Sequence, residues 1–273
     1  MGKNATYSMK LKLQAGGKVF GQLIGPGGSP EKTVKALKNL GDDFIMLELE
    51  HSLVNKETAF EYIRVCHEMD MPLLMRTEDK AAYFRCYLDA GVNGLMLPLV
   101  NTIEEAVHAV DMSYLPPIGH RGMGIGLSPY LIDFQNLNKV PFLSLTKYVN
   151  NNTMLFPQTE SLENISNLSR ILSLEGVTGA IVGPFDLAID IGSIDPKALA
   201  TEVVTTNVVE EKIRQVLKIC KKAGKIAGIG GFAPKTLAKW AKEGYQLLLV
   251  GYVLNGDVDS VRPLIEESRA LIG

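Results

Sequence analysis

Thr153-Met-Leu-Phe-Pro-Gln-Thr-Glu160, an amphipathic stretch over 161–174, and Gly179-Ala-Ile-Val-Gly-Pro-Phe-Asp186 follow one another directly. The two apolar runs are strand-length, and the segment between them spaces its apolar residues as a helix does. A strand, a helix and a second strand in such close order form a βαβ unit, in which the strands run parallel and both C-termini reach the same edge. Each of these strands runs out in a carboxylate, Glu160 and Asp186.

The same alternation extends in both directions. Apolar runs predict strands at Lys18–Ile24, Phe44–Leu49, Pro72–Arg76, Gly94–Pro98, Thr153–Gln158, Gly179–Val182, Lys225–Ile229 and Gln246–Val250. Helical patterns occupy Pro30–Leu40, Lys56–Met69, Lys80–Ala90, Thr102–Ser113, Ser161–Leu174, Asn207–Ala223, Pro234–Glu243 and Asp257–Ile272. Eight such units in 273 residues predict a single (β/α)₈ TIM-barrel domain over residues 1–273. Glycines 41, 91, 224 and 244 stand just past helices, and Pro30 and Pro234 at helix starts. The stretch Pro116–Asn152 breaks the rhythm and reads as a long loop after the fourth unit, where it would lie over or beside the active rim.

Composition narrows the function. The net charge is −2 with no Lys/Arg block, which argues against nucleic acid, and no apolar run is long enough for a membrane span. Three widely spaced cysteines in helical patterns read as reduced packing thiols, and no leader pattern opens the chain. A cytoplasmic location is therefore expected.

Strand C-termini converge on one rim of a barrel, and the charged residues there are the candidates for chemistry. Period-two alternation puts Met154, Phe156, Gln158 and Glu160 on one face of their strand, and Phe44, Met46 and Glu48 on one face of theirs. A buried Glu48 requires a partner or a metal. Glu50 reads equally as support for the site or as a solvent-facing rim residue. Asp186 reads as a cap of the Gly183-Pro-Phe-Asp-Leu187 turn and also as a ligand; together with Glu160 it suits a hard cation such as Mg²⁺ or Mn²⁺. His51 is the leading general base, set against the commoner structural histidine. Arg76 ends an otherwise apolar strand and should pair an anion, either a substrate or Glu48 and Glu50. His120 is the weaker histidine. Lys18 and Lys225 stand at strand starts, on the wrong face for imine chemistry.

The ordered set Glu48-Leu-Glu-His51, strand-Arg76, Leu88-Asp-Ala-Gly91, Leu97-Pro-Leu-Val100, Pro116-Pro-x-Gly-x-Arg-Gly122, Gln158-Thr-Glu160 and Gly183-Pro-Phe-Asp-Leu187 resembles the HpcH/HpaI aldolase family, over nearly the whole chain. The resemblance implies metal ligands at Glu160 and Asp186, with Mg²⁺, Mn²⁺ or Co²⁺ as the metal. It implies a catalytic histidine at His51, an arginine at the substrate oxo group at Arg76, and a glutamine near the metal at Gln158. The turn whose amides hold the substrate carboxylate matches Phe185 and Asp186. Asp89 matches an aspartate that reaches a neighbour's site in a homo-oligomer, a hexamer with the last helix exchanged between subunits.

The activity so implied is divalent-metal-dependent cleavage or synthesis of a 4-hydroxy-2-oxo acid through a metal-stabilised pyruvate enolate, giving pyruvate and an aldehyde. A condensing enzyme or oxaloacetate-type decarboxylase on the same scaffold is the first alternative, and a non-catalytic oxo-acid-binding barrel the second. Two departures stand out. Glu48 replaces the family's aspartate, an added methylene beside the base, and the sequence after Gly122 loses the usual Ala/Arg-rich stretch. Acceptor choice is therefore the least transferable part of the resemblance.

Overall fold

The computed structural model describes residues 5–80, 84–92, 94–122, 124, 140–194 and 206–273. The strands are β1 Val19–Ile24, β2 Phe44–Glu48, β3 Leu73–Arg76, β4 Gly94–Leu97, β5 Met154–Thr159, β6 Gly179–Val182, β7 Ile226–Gly230 and β8 Leu247–Val253. They pair in parallel in chain order, and β8 closes on β1, so the expected barrel is the observed one. The helices are α1 Ala5–Gln14, α2 Pro30–Asn39, α3 Lys56–Glu68, α4 Phe84–Ala90, α5 Ile103–Ser113, α6 Phe142–Asn152, α7 Leu162–Leu172, α8 Pro184–Ile191, α9 Asn207–Ala223, α10 Pro234–Glu243 and α11 Arg262–Ile272.

Alternating side chains divide the core in two. Phe44, Met46, Leu74, Met96, Met154, Phe156, Ile181 and Leu247 point inward and fill the barrel. Ile45, Leu47, Leu73, Met75, Leu95, Leu155 and Ala180 point outward against the helices. Helix α9 shows how the outer layer forms. Val209, Ile213, Val216, Leu217 and Cys220 make its buried stripe, Thr206 caps its start on the Val209 amide, and Gly224 ends it at φ 65°. Burying each such Leu, Ile or Phe contributes roughly 1.5–3 kcal/mol.

Several expectations need correction. Helix α1 was not legible in the polar N-terminus; it places Met9 and Leu13 among the inward-facing side chains, where they close the bottom of the barrel. The supposed loop 116–152 ends in α6, whose Leu145 and Val149 bury against Leu115; its residues 123 and 125–139 lie outside the described residues. Lys80 stands in a bend rather than in α4, and Asp257 precedes α11 in a turn in which its carboxylate accepts from the Ser260 amide at 3.2 Å. Cys66 and Cys220 are buried free thiols, but Cys86 is exposed. No helix among the described residues is long and apolar enough to cross a membrane.

Strand β8 runs three residues past its expected end and carries a bulge. Gly21 pairs with Leu249 and Gln22 with Gly251, so Val250 is the extra residue. Leu247 and Leu249 face inward, and strict alternation would turn Tyr252 outward; the bulge resets the parity and puts Tyr252 in the barrel mouth opposite Leu23.

Candidate active site

A cavity of about 780 Å³ opens at the strand C-termini. His51, Arg76, Gln158 and Asp186 line it. Each arrives by the local chemistry of its strand end. Glu48 and Arg76 are register partners across β2 and β3, and their side chains meet as an ion pair, with Arg76 Nε donating to Glu48 Oε2 at 2.5 Å. Glu48 is fully buried, and its Oε1 also accepts from the His51 amide at 2.9 Å. Its backbone oxygen accepts from Ser52 Oγ. The carboxylate thus clamps the turn that leads from β2 into His51.

Glu50 faces inward, 3.3 Å from Arg76 Nε and 3.7 Å from His51 Nε2. Its Oε2 is buried without a hydrogen bond. Burial first, then the Glu160 and Glu48 charges, push its carboxyl up to about 7 against the pull of Arg76 and His51. Of the two readings of Glu50, support for the site is the one its position favours. The His51 ring is largely exposed and lines the cavity.

Gln158 and Glu160 share a face of β5, as alternation requires, and Gln158 Nε2 donates to Glu160 Oε2. Burial raises the Glu160 carboxyl above its ordinary range, and the Asp186 charge adds to the rise; Gln158, the Leu99 amide and Arg76 oppose it. Asp186 sits in the first turn of α8, where the cap residue is Gly183 and no side chain caps the helix. The capping reading of Asp186 is therefore not realised, and its exposed carboxylate is left facing the cavity.

Gly183 separates the two acids. A Cβ there would lie 3.0 Å from Glu160 Oε2 and 3.4 Å from Gln158 Nε2. Leu99, missed from sequence, holds φ 58°, a left-handed conformation that costs a leucine about 1–3 kcal/mol and directs its amide at Glu160. The Leu97-Pro-Leu-Val100 motif was the only signal for it.

These residues fit a divalent cation. Both acids offer oxygen, their charges repel one another, and Gln158 Oε1 is buried beside them without a partner. A cation would relieve all three. Among the described residues no group of three or more His, Cys, Asp or Glu side chains is placed to hold a metal ion. Asp89 does not join Glu160 and Asp186. It lies at the end of α4, where its carboxylate pairs with Arg121 Nη2 at 2.9 Å. His120 pairs with Asp111 at 2.5 Å on the surface and is not among the residues lining the cavity.

The chain and its fold have counterparts among known proteins. A 4-hydroxy-2-oxo-heptane-1,7-dioate aldolase of Shigella sonnei is 28% identical over 224 residues, 81% of this chain and 79% of the relative. The crystal structure of an HpcH/HpaI aldolase from Desulfitobacterium hafniense superposes with a TM-score of 0.79 at 24% identity, over 97% of this chain and 96% of the other. Protein CitE of Mycobacterium tuberculosis, solved in complex with magnesium and pyruvate, superposes at 0.58 and 15% identity over 95% and 92% of the two chains. The model of one family matches residues 26–255. By that match, which takes in Glu48, His51, Arg76, Gln158, Glu160 and Asp186, the chain belongs to the HpcH/HpaI aldolase/citrate lyase family.

Proposed function

We propose that the protein is a carbon–carbon lyase that cleaves a 4-hydroxy-2-oxo acid into pyruvate and an aldehyde, and catalyses the reverse addition. The observation that supports this best is the joint placement of Asp186, Arg76 and His51 around one cavity at the strand C-termini, with Glu160 close to Asp186. Glu160 and Asp186 would hold a divalent cation, Mg²⁺, Mn²⁺ or Co²⁺; when bound, it supplies Lewis-acid polarisation of the oxo acid.

The chain's own residues do the rest. Arg76 keeps Nε and Nη2 on Glu48 and Glu50 and lines the cavity, where its guanidinium would meet the oxo oxygen. Positive charge held there by two carboxylates needs no reorganisation as the oxygen becomes negative. His51 takes the proton from the C4 hydroxyl during cleavage, through a water, and returns it to the aldehyde oxygen in synthesis. Glu48 fixes the His51 backbone, and Glu50 stands beside the ring. The amides of Phe185 and Asp186, at the start of α8, bind the substrate carboxylate. No lysine lines the cavity among the described residues, which speaks against an imine.

Family membership and the free thiols support a homo-oligomer, a hexamer, working in the cytoplasm. In it Asp89 would serve a neighbouring subunit's site, and a fully active monomer in sedimentation would overturn that part. The activity itself is tested by NMR of pyruvate in D₂O with enzyme and Mn²⁺-free Mg²⁺ buffer. Loss of the methyl proton signal is expected, and its persistence overturns the lyase reading. Faster release of CO₂ from oxaloacetate than addition to any aldehyde would move the assignment to a decarboxylase.

A further inference from the structure

The carboxylates proposed to hold the metal stand just past β5 and in the first turn of α8, which follows β6. In the closed ring the strand opposite β5 is β1, flanked by β8. That side of the cavity is built of different material. Leu23 is the next-to-last residue of β1, Tyr252 projects from β8, and Phe232 follows β7; Phe185, next to Asp186, faces the same space. Tyr252 and Phe185 are 39% and 42% exposed, large apolar surfaces left open at a cavity mouth.

Two features show that this wall is constructed. The β8 bulge turns Tyr252 inward, as described above. Beneath it Gly25 leaves the room it needs, since a Cβ at that position would meet Tyr252 Oη at 3.0 Å and Leu254 Cδ2 at 2.8 Å. Gly25, the first residue of the Gly25-Pro-Gly-Gly28 stretch, has a use here.

Charge points the same way. Among the described residues lining the cavity, Arg76 is the one permanent cation, and Glu48 and Glu50 already engage it. Asp186 also belongs to the lining, and its charge would be taken up by the cation it would hold with Glu160. Among the described lining residues an aldehyde with a carboxylate tail would find no uncommitted side-chain counter-ion, whereas an alkyl or aryl tail would find Leu23, Phe232 and Tyr252.

We infer that the β1/β8 side of the mouth is the acceptor subsite, and that it takes an uncharged aldehyde with an apolar tail. This rests on the proposed aldol reading of the same site. In the addition, pyruvate loses a methyl proton, its C3 bonds to the aldehyde carbon, and the aldehyde oxygen gains a proton; nothing is oxidised or reduced. The Shigella sonnei relative is named for a heptane-1,7-dioate, whose C4–C7 fragment is an aldehyde ending in a carboxylate. The acceptor assigned here differs at that end.

The test compares butanal with 4-oxobutanoate, which have the same chain length and differ only in a terminal methyl or carboxylate. Both are added to the Mg²⁺-loaded enzyme with pyruvate, and methyl deuterium exchange is followed in parallel. The expected result is a kcat/KM for butanal at least about tenfold above that for 4-oxobutanoate, rising roughly two- to fourfold per added methylene up to hexanal. Tyr252→Arg should move the preference toward 4-oxobutanoate, and Tyr252→Phe should keep it on butanal. Equal or better use of 4-oxobutanoate, or addition to neither aldehyde, overturns the inference while exchange continues. Loss of exchange itself strikes instead at the aldol reading beneath it. The unaltered-enzyme comparison decides the matter even if the arginine variant does not fold.

Discussion

Glu48 and Arg76 stand opposite one another at the last paired position of β2 and β3, and their side chains close on each other with Arg76 Nε 2.5 Å from Glu48 Oε2. One carboxylate so placed orders both an arginine and the His51 turn. It is fully buried, so its charge depends on its partners.

Removing one member should therefore cost more than removing both. Arg76→Met is expected to lower unfolding free energy by about 3 kcal/mol, because Glu48 keeps a buried charge. The double variant Glu48→Gln/Arg76→Met should recover much of that loss. Urea titration of the two single variants and the double would read the coupling. Additive losses would mean the pair is not a unit.

His51 is expected to carry proton transfer without contributing to binding. His51→Ala should slow aldol cleavage by about two to four orders of magnitude and leave the pyruvate dissociation constant nearly unchanged. Stopped-flow cleavage and equilibrium titration check the two halves. Near-normal turnover would pass the role to Glu50, which stands 3.7 Å from the His51 ring.

Chelation should abolish turnover, and Mg²⁺, Mn²⁺ or Co²⁺ should restore it, since oxygen-rich sites discriminate weakly among them. Glu160→Ala and Asp186→Ala should each lose metal affinity in calorimetry while retaining a cooperative thermal transition. Oxalate, a planar mimic of the pyruvate enolate, should compete with the oxo acid only when metal is present. Borohydride with pyruvate should leave the enzyme active. Covalent trapping by borohydride would put a lysine back into the chemistry.

Asp42 makes stability depend on pH. Its carboxyl is buried beside Gln22, whose Nε2 donates to it at 3.1 Å, and burial raises it to about 7 despite Arg269. The folded protein then holds a proton that the unfolded chain releases at ordinary carboxylate values. Its contribution is fully present below the unfolded value and is lost as pH rises towards about 7. The slope should reach about 1.4 kcal/mol per pH unit and vanish above that range. Asp42→Asn should flatten the curve in urea melts from acid to neutral pH. A wild-type curve with no slope there would show that Asp42 folds ionised.

The strands, their alternation and the two acids that follow β5 and β6 were readable from the chain, because a parallel barrel repeats one pattern of apolar runs and the inward face follows from period two. The same parity correctly placed Gln158 with Glu160, and Glu48 with Met46. Other features had no such pattern to betray them. Helix α1 has little amphipathic periodicity, yet Met9 and Leu13 are buried because the open bottom of a barrel accepts any apolar pair delivered to it. Helix α6 lay inside a stretch whose other residues broke the rhythm.

By itself the sequence determined which residues are inward, which strands run parallel and which rim gathers charge, since each follows from local period and element order. Only the tertiary structure decided which of those charges touch. Arg76 meets Glu48 because of the β2–β3 register, Asp186 is not the cap of α8 because that position falls to Gly183, and Tyr252 enters the mouth because one extra residue on β8 shifts its parity. Register and bulges are set by packing between strands distant in sequence, and no local period encodes them.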